Sequence, residues 1–174
     1  MNMKPIVTVM LAALMIAACT PKPEVPVREA WTAEQANAWY SQQGWLRGCN
    51  FIPSTAINQL EMWQADTWDP ATIDRELGWA QQLGFTSVRV FLHDLAWAQD
   101  RVGFLKRMDQ FLDLAARRRI GVMFVLFDGV WDPFPKPGKQ REPRPHIHNS
   151  GWVQSPAQEI LTDPLRHDEL KAYV

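Results

Sequence analysis

The sequence predicts a mixed α/β fold of the (β/α)8 barrel kind, or TIM barrel, with only the first three βα units present in the chain. Short apolar strands alternate with helices from Trp31 onward. The third strand is continuously apolar, which is typical of a parallel sheet covered on both faces. The connections after strands are long, at residues 54–68, 93–101 and 128–162, whereas those after helices are short. In such a barrel the strand-to-helix connections build the active site.

The first nineteen residues predict export. A short segment with one positive charge, at Lys4, precedes an apolar run over residues 6–18 that is too short for a permanent membrane span. The run ends in Ile16-Ala17-Ala18-Cys19, which resembles the lipobox of bacterial lipoproteins. We therefore expect a lipoprotein signal peptide over residues 1–19 and a membrane anchor through lipidated Cys19. Ordinary signal cleavage, with Cys19 incidental, is the alternative.

A proline-rich segment follows and suits a stiff tether over residues 20–30. The predicted domain then covers residues 31–174. It opens with a capping-box pattern, Thr32–Gln35, which predicts a short helix to about Tyr40. The run Gly48–Pro53 predicts the first buried strand, with Cys49 as a buried thiol. A Cys19–Cys49 disulfide is the alternative.

The second unit has a clear helix start and stop. Asp69 predicts an N-cap with Pro70 at the first helical position, and Gly84 predicts the end of that helix. The apolar run over residues 86–92 predicts the second strand. A helix from about Val102 then carries three arginines, residues 117–119, in its last turn, where cations favour the negative end of the helix dipole.

The third unit has a strand over residues 122–127 and a third helix that is predicted to begin near Asp163 and Pro164. Three parallel strands cannot close a barrel, which typically needs about 250 residues. The third strand would also expose an apolar edge. We therefore expect the chain to be the N-terminal fragment of a longer protein.

Composition narrows the choice of partners. The chain has 18 basic and 19 acidic residues, which gives no electrostatic reason to expect nucleic acid. No GxGxxG or P-loop pattern follows the first strand, so nucleotide binding has no support. Nine tryptophans are unusual, and they indicate either a large aromatic core or flat platforms for sugar rings.

Polar residues gather where the three strands end, which is where catalytic groups of α/β folds collect. Asn50 follows the first strand, with Glu61 and Trp63 in the next connection. Arg89 lies in the second strand, before His93 and Asp94. The third set contains Asp128, Trp131, Asp132 and the segment Arg144–Asn149.

Arg89 is the most informative of these residues. It stands between Val88 and Val90 in an otherwise apolar strand, so it faces either a barrel interior or a cleft. A buried guanidinium needs an anionic partner, for which an active-site carboxylate is suited. An arginine paired across the barrel for packing alone is the alternative.

The histidines of the sequence also permit the interpretation of a metal site, which we do not favour. His146 and His148 are two residues apart and, with His93, resemble a three-ligand set. Prolines flank the segment, and no HExxH pattern supports a zinc site. We therefore predict no metal and no cofactor.

Three segments resemble the clan-A glycoside hydrolases, and family 5-like cellulases and mannanases in particular. These segments are Gly48–Ser54, Leu83–His93 and Met123–Asp128. The enzymes that they resemble include lipoproteins of Gram-negative bacteria. The middle segment, LGFTSVRVFLH, is the most specific. The resemblance covers about Trp31 to Val174 and implies an exported protein of a Gram-negative bacterium, in the periplasm or at the cell surface.

The resemblance implies retaining hydrolysis of a β-linked polysaccharide such as β-glucan or mannan, with two glutamates. It gives Arg89 the role of supporting these glutamates, which are expected beyond Val174, since the chain has no Asn-Glu pair. Asn50, His93 and Asp128 are expected to contact sugar, although family members often have His where Asp128 stands.

By their chemistry alone, Trp131 and Trp152 are candidates for stacking on sugar rings. Because both catalytic glutamates are absent, the chain as given is expected to be inactive. A non-catalytic carbohydrate-binding lipoprotein is the alternative function.

Overall fold

The computed structural model describes residues 29–174, which form two compact units divided between Gln42 and Gln43. The predicted signal peptide, the lipidation site Cys19 and the tether up to residue 28 lie outside the described residues. Across residues 29–174, no helix is both long enough and apolar enough to cross a membrane.

The first unit contributes one described helix, α1, Ala33–Gln43. The predicted capping box is confirmed, because the backbone N of Thr32 donates to Oε1 of Gln35 at 2.9 Å and the backbone N of Gln35 donates to Oγ1 of Thr32 at 3.2 Å. The helix extends three residues beyond the predicted end at Tyr40.

The second unit is built on a parallel sheet of three strands. These are β1, Gly48–Asn50, β2, Ser87–Phe91, and β3, Gly121–Val125, in the order β1-β2-β3. Asn50 is paired in register with Arg89, and Arg89 with Met123. The predicted mixed α/β fold with a parallel sheet is confirmed. Only glycine fits at position 48, where β1 begins, because a Cβ there would lie 2.0 Å from the carbonyl oxygen of Ser87.

Two main helices link the strands, as predicted. Helix α3, Pro70–Gln82, joins β1 to β2, and helix α5, Arg101–Arg117, joins β2 to β3. Asp69 caps α3 by accepting from the backbone N of Thr72, and Gly84 ends the turn after it with a φ of +83°. Asp100 caps α5 in the same way.

Short helices within the connections were not predicted. They are α2, Gln59–Trp63, after β1, α4, Asp94–Gln99, after β2, and α6, Gln158–Leu161, in the connection after β3. The helix expected at Pro164 is a 3-10 helix, Pro164–Leu170, and not an α-helix. Asp163 caps it by accepting from the backbone N of Leu165, and the bond from the backbone N of Arg166 to the carbonyl of Asp163 has the tighter three-residue spacing.

The core lies on the side of the sheet that α3 and α5 cover. Val88 and Val90 of β2 are buried there. Trp63 is fully buried among Phe104, Phe111 and Phe124, with its indole N donating to the carbonyl of Phe91 at 2.8 Å. Of the two roles considered for tryptophan, Trp63 has the core role.

The prediction for Cys49 was wrong. Cys49 is an exposed free thiol, not a buried one, because β1 is an edge strand of the described sheet. The three arginines lie at the end of α5, where Arg117 is the last helical residue and Arg117 and Arg119 are exposed. Arg118 donates to both carboxylate oxygens of Asp74 on α3, and Arg119 leaves the helix with a φ of +56°.

Candidate functional site

A cleft of about 490 Å³ opens on the face of the sheet away from the helices, at the carboxyl ends of the strands. Five of the six predicted sugar-binding or supporting residues line it. They are Asn50, Arg89, Asp128, Trp131 and Trp152. Parallel strands bring the ends of β1, β2 and β3 to one edge, so residues far apart in sequence meet there.

Arg89 projects from β2 into this cleft and is exposed. Its Nε donates to Oδ1 of Asn50 at 2.9 Å, and its guanidinium lies over the ring of Phe91, 4.9 Å from the ring centroid. Neighbouring register positions on β1 and β2 explain the first contact. Within residues 29–174, Arg89 has no carboxylate partner, so its remaining N–H groups are available to an anion or to a sugar oxygen.

Aromatic rings form a continuous wall along the cleft. Phe91 meets Trp152 with ring centroids 5.5 Å apart, Trp152 meets Trp131 at 6.0 Å, and Trp131 meets His148 at 5.9 Å. Each ring is steeply inclined to the next, by 62° to 85°, which is a favourable edge-to-face arrangement. We call these four residues the aromatic wall.

Asp128 fixes the orientation of one wall residue. Its Oδ2 accepts from the indole N of Trp131 at 2.8 Å, while its backbone exchanges hydrogen bonds with the backbone of Ser155. Asp128 is half-buried, and Oδ1 has no partner among the described residues. It is also the one carboxylate among the residues that line this cleft.

Buried amide side chains hold the connection after β3 against the connection after β1. Nδ2 of Asn58 donates to Oε1 of Gln140 and to the carbonyl of Gly151, at 2.9 Å and 2.8 Å. Nε2 of Gln59 donates to the carbonyl of Val153 at 2.6 Å. These uncharged contacts, which we call the amide clamp, fix the loop that carries Trp131 and Trp152.

A second clamp ties the connection after β2 to the same loop. Oγ of Ser155 donates to Oδ1 of Asp94 at 2.7 Å, and Nδ1 of His93 lies 3.1 Å from that oxygen. Burial acts to raise the pKa of Asp94. Hydrogen bonds with His93 and Ser155 and attraction to His93 outweigh it, so the pKa of Asp94 lies below its ordinary value.

His93 is therefore placed away from the cleft. It is fully buried at the start of α4, and its Nε2 has no hydrogen-bond partner among the described residues. The structure brings together the other five predicted residues, but not this one. Across residues 29–174, no three His, Cys, Asp or Glu side chains are grouped so as to hold a metal ion.

Sequence reasoning missed three apolar lining residues, Ile52, Phe91 and Val130. Phe91 was detectable, because it lies two residues after Arg89 and strand side chains alternate between faces. His148 and Asn149, which were anticipated only as part of the segment 144–149, also line the cleft. The amide clamp had no local signal.

Comparison with known proteins adds no assignment. No protein-family profile, no curated protein sequence and no solved structure matched this chain.

Proposed function

We propose that residues 31–174 form the glycan-binding first part of a (β/α)8 glycoside hydrolase that acts on a β-linked polysaccharide. The observation that carries the proposal is the aromatic wall beside Asn50, Arg89 and Asp128, at the carboxyl ends of three parallel strands. The proposal includes export and a lipid anchor on Cys19.

The cleft has the two kinds of surface that a sugar ring requires. The C–H faces of a pyranose pack on aromatic side chains, which Trp131 and Trp152 supply while both remain half-buried. Ring hydroxyls need fixed donors and acceptors, which are the guanidinium of Arg89, the amide of Asn50 and the free oxygen of Asp128. Few polar groups on a mainly apolar wall are typical of small-molecule and sugar sites.

Retaining hydrolysis requires two carboxyl groups about 5–5.5 Å apart, one as acid and one as nucleophile. Asp128 alone cannot supply this pair. In the proposed enzyme both glutamates come from later strands, and Arg89 supports them from β2. Arg89 and Met123 are exposed on the open face of the sheet. In a closed barrel this face would line the interior and be covered by side chains of the other strands.

A second candidate is a non-catalytic carbohydrate-binding lipoprotein. It is favoured by one observation, namely that the cleft has a complete aromatic wall but a single carboxylate. On this reading the described loops bind glycan without cleaving it.

Binding tests the glycan proposal directly. We expect soluble β-linked oligosaccharides to bind the purified chain saturably in calorimetry. Trp131→Ala should weaken binding by about tenfold, because it removes a stacking surface. Trp45→Ala is the matched control, since Trp45 is 84% exposed and does not line the cleft. Absence of binding to any neutral or charged glycan, by a folded chain, would exclude both candidates.

The coding DNA downstream of the Val174 codon distinguishes the two candidates. The enzyme requires an Asn-Glu pair after a fourth strand and a second glutamate at a later strand end. A stop codon directly after Val174 would favour the binding protein. Release of reducing sugar by the 174-residue chain, lost on Asp128→Asn, would contradict the assignment of both glutamates to later strands.

A further inference from the structure

Two further clefts adjoin the first along the loop that follows β3. A neighbouring cleft of about 320 Å³ shares Trp131, Trp152 and His148 with the first. A third, of about 340 Å³, shares Asp132 and Arg141 with the second. We call this run of three clefts the loop groove.

Cations dominate the lining of the loop groove. Five basic and two acidic residues line it, in a chain whose formal net charge is −1. The basic residues are Arg89, Lys136, Lys139, Arg141 and Arg144. The excess is local, because acidic residues outnumber basic ones over the rest of the chain.

Each acidic residue of the groove already accepts one hydrogen bond from the described part of the chain. Asp128 accepts from Trp131, and Asp132 accepts from the backbone N of Phe134 and lies 3.7 Å from Arg141. Lys136, Lys139 and Arg144 are exposed and form no ion pair within residues 29–174. Arg144 lines the cleft that contains Trp131 and Trp152, and Lys136 and Lys139 line the third cleft, so three cations of the groove are left to interact with a ligand.

We propose that the loop groove selects an acidic glycan, one whose sugar units carry carboxylate groups, over its neutral counterpart. This inference rests on the proposed function and narrows its substrate class. The aromatic wall holds the sugar faces, while Lys136, Lys139 and Arg144 contact the carboxylates. Arginine presents a planar fork of donors that matches a carboxylate.

A carboxylated sugar fits the groove better than a nucleic acid strand. The wall rings are inclined edge to face, so they offer no row of parallel faces for successive bases. Asn50 and Asp128 lie where sugar hydroxyls are the natural partners.

The test uses a matched pair of ligands, a β-1,4-linked glucose hexamer and the β-1,4-linked glucuronic acid hexamer of the same length. They differ only in the carboxylates. Calorimetry with the full chain at low salt should show the acidic hexamer binding about tenfold more tightly. The preference should shrink as salt is raised, because exposed charges are screened.

A double variant locates the effect. Lys136→Gln with Lys139→Gln should weaken binding of the acidic hexamer about fivefold and leave the neutral hexamer unaffected. Lys106→Gln with Arg117→Gln removes the same charge from the exposed surface of α5, outside the groove, and should change neither affinity.

Equal or tighter binding of the neutral hexamer overturns this inference and leaves the proposed function standing. Binding of neither hexamer, nor of any other glycan, overturns both. A single-stranded oligonucleotide bound as tightly as the acidic hexamer overturns the choice of glycan, and tighter binding of a sulfated β-glucan overturns the choice of carboxylate.

Discussion

Asp94 links the titration of one carboxylate to the position of the loop that follows β3. It is 6% exposed, and its carboxylate receives the hydroxyl of Ser155 from the loop that carries the aromatic wall. Its pKa is lower in the folded chain than in the unfolded one. Asp94 therefore stabilises the fold above its unfolded-state pKa of about 3.9, and this contribution is lost as the pH falls through the folded-state value.

Asp94→Asn tests this linkage. The free energy of unfolding of the native chain should fall more steeply below about pH 4 than that of the variant, because only the native carboxylate must be protonated. Urea denaturation at a series of pH values measures both curves. Asp109→Asn, on the exposed surface of α5, is the control and should follow the native curve. Parallel curves for the native chain and Asp94→Asn would contradict the assignment.

The connections that follow the three strands, more than the strands themselves, determine the shape of the cleft. The amide clamp joins the connection after β1 to that after β3, and Ser155 joins the latter to the connection after β2. Asn58 has the central position, since it also caps α2 by accepting from the backbone N of Glu61 at 2.9 Å. Its loss would leave the buried Gln140 and Gly151 without a donor.

We expect Asn58→Ala to lower the free energy of unfolding by about 2–4 kcal/mol, from the lost cap and the unsatisfied acceptors. Urea denaturation measures the loss, and hydrogen exchange should become faster in residues 136–151. Gln82→Ala, at an exposed position of α3, should change stability by less than about 0.5 kcal/mol. A change below about 1 kcal/mol for Asn58→Ala would mean that the loop is held elsewhere.

Patterns of neighbouring residues predicted the main elements. Contacts between residues that are far apart in the sequence were not predicted. Asp69 and Gly84 bounded α3 correctly, because a cap and a left-handed turn depend on adjacent residues. The gathering of Asn50, Arg89 and Asp128 where the strands end was also predicted, because parallel strands end at the same edge of a sheet. Asn58 bonds to Gln140 across 82 positions, for which no local pattern exists.

His93 shows why the rest of the site was harder to predict. The family resemblance predicted that it contacts sugar, together with Asn50 and Asp128. β2 ends at Phe91, and His93 instead caps the N-terminus of α4, with its ring buried in the interior. A polar residue just past a strand faces the cleft only if the strand geometry continues through it.

For the molecule as a whole, the uncovered face of the sheet is the surface through which we expect copies of the chain to associate. Met123 on β3 is 62% exposed, and Val130 just beyond the strand is 70% exposed. β1 and β3 are both edge strands of the described sheet. Apolar surface next to an unpaired strand edge promotes association between copies.

Met123→Lys should reduce this association by placing a charge on the open face. Sedimentation velocity over a range of concentrations should show the native chain associating more than the variant. Leu105→Lys, at a 54% exposed position of α5, is the matched control and should behave like the native chain. Equal suppression by both variants would point to a general charge effect and not to the sheet.

Cys49 gives the open sheet a practical use. Its thiol is exposed on β1, and the sequence contains just one other cysteine, Cys19. With Cys19→Ser, a maleimide dye would attach at a single known position on that strand. Dye emission depends on whether water or apolar groups surround it, so one labelled chain would report directly when another polypeptide docks along β1.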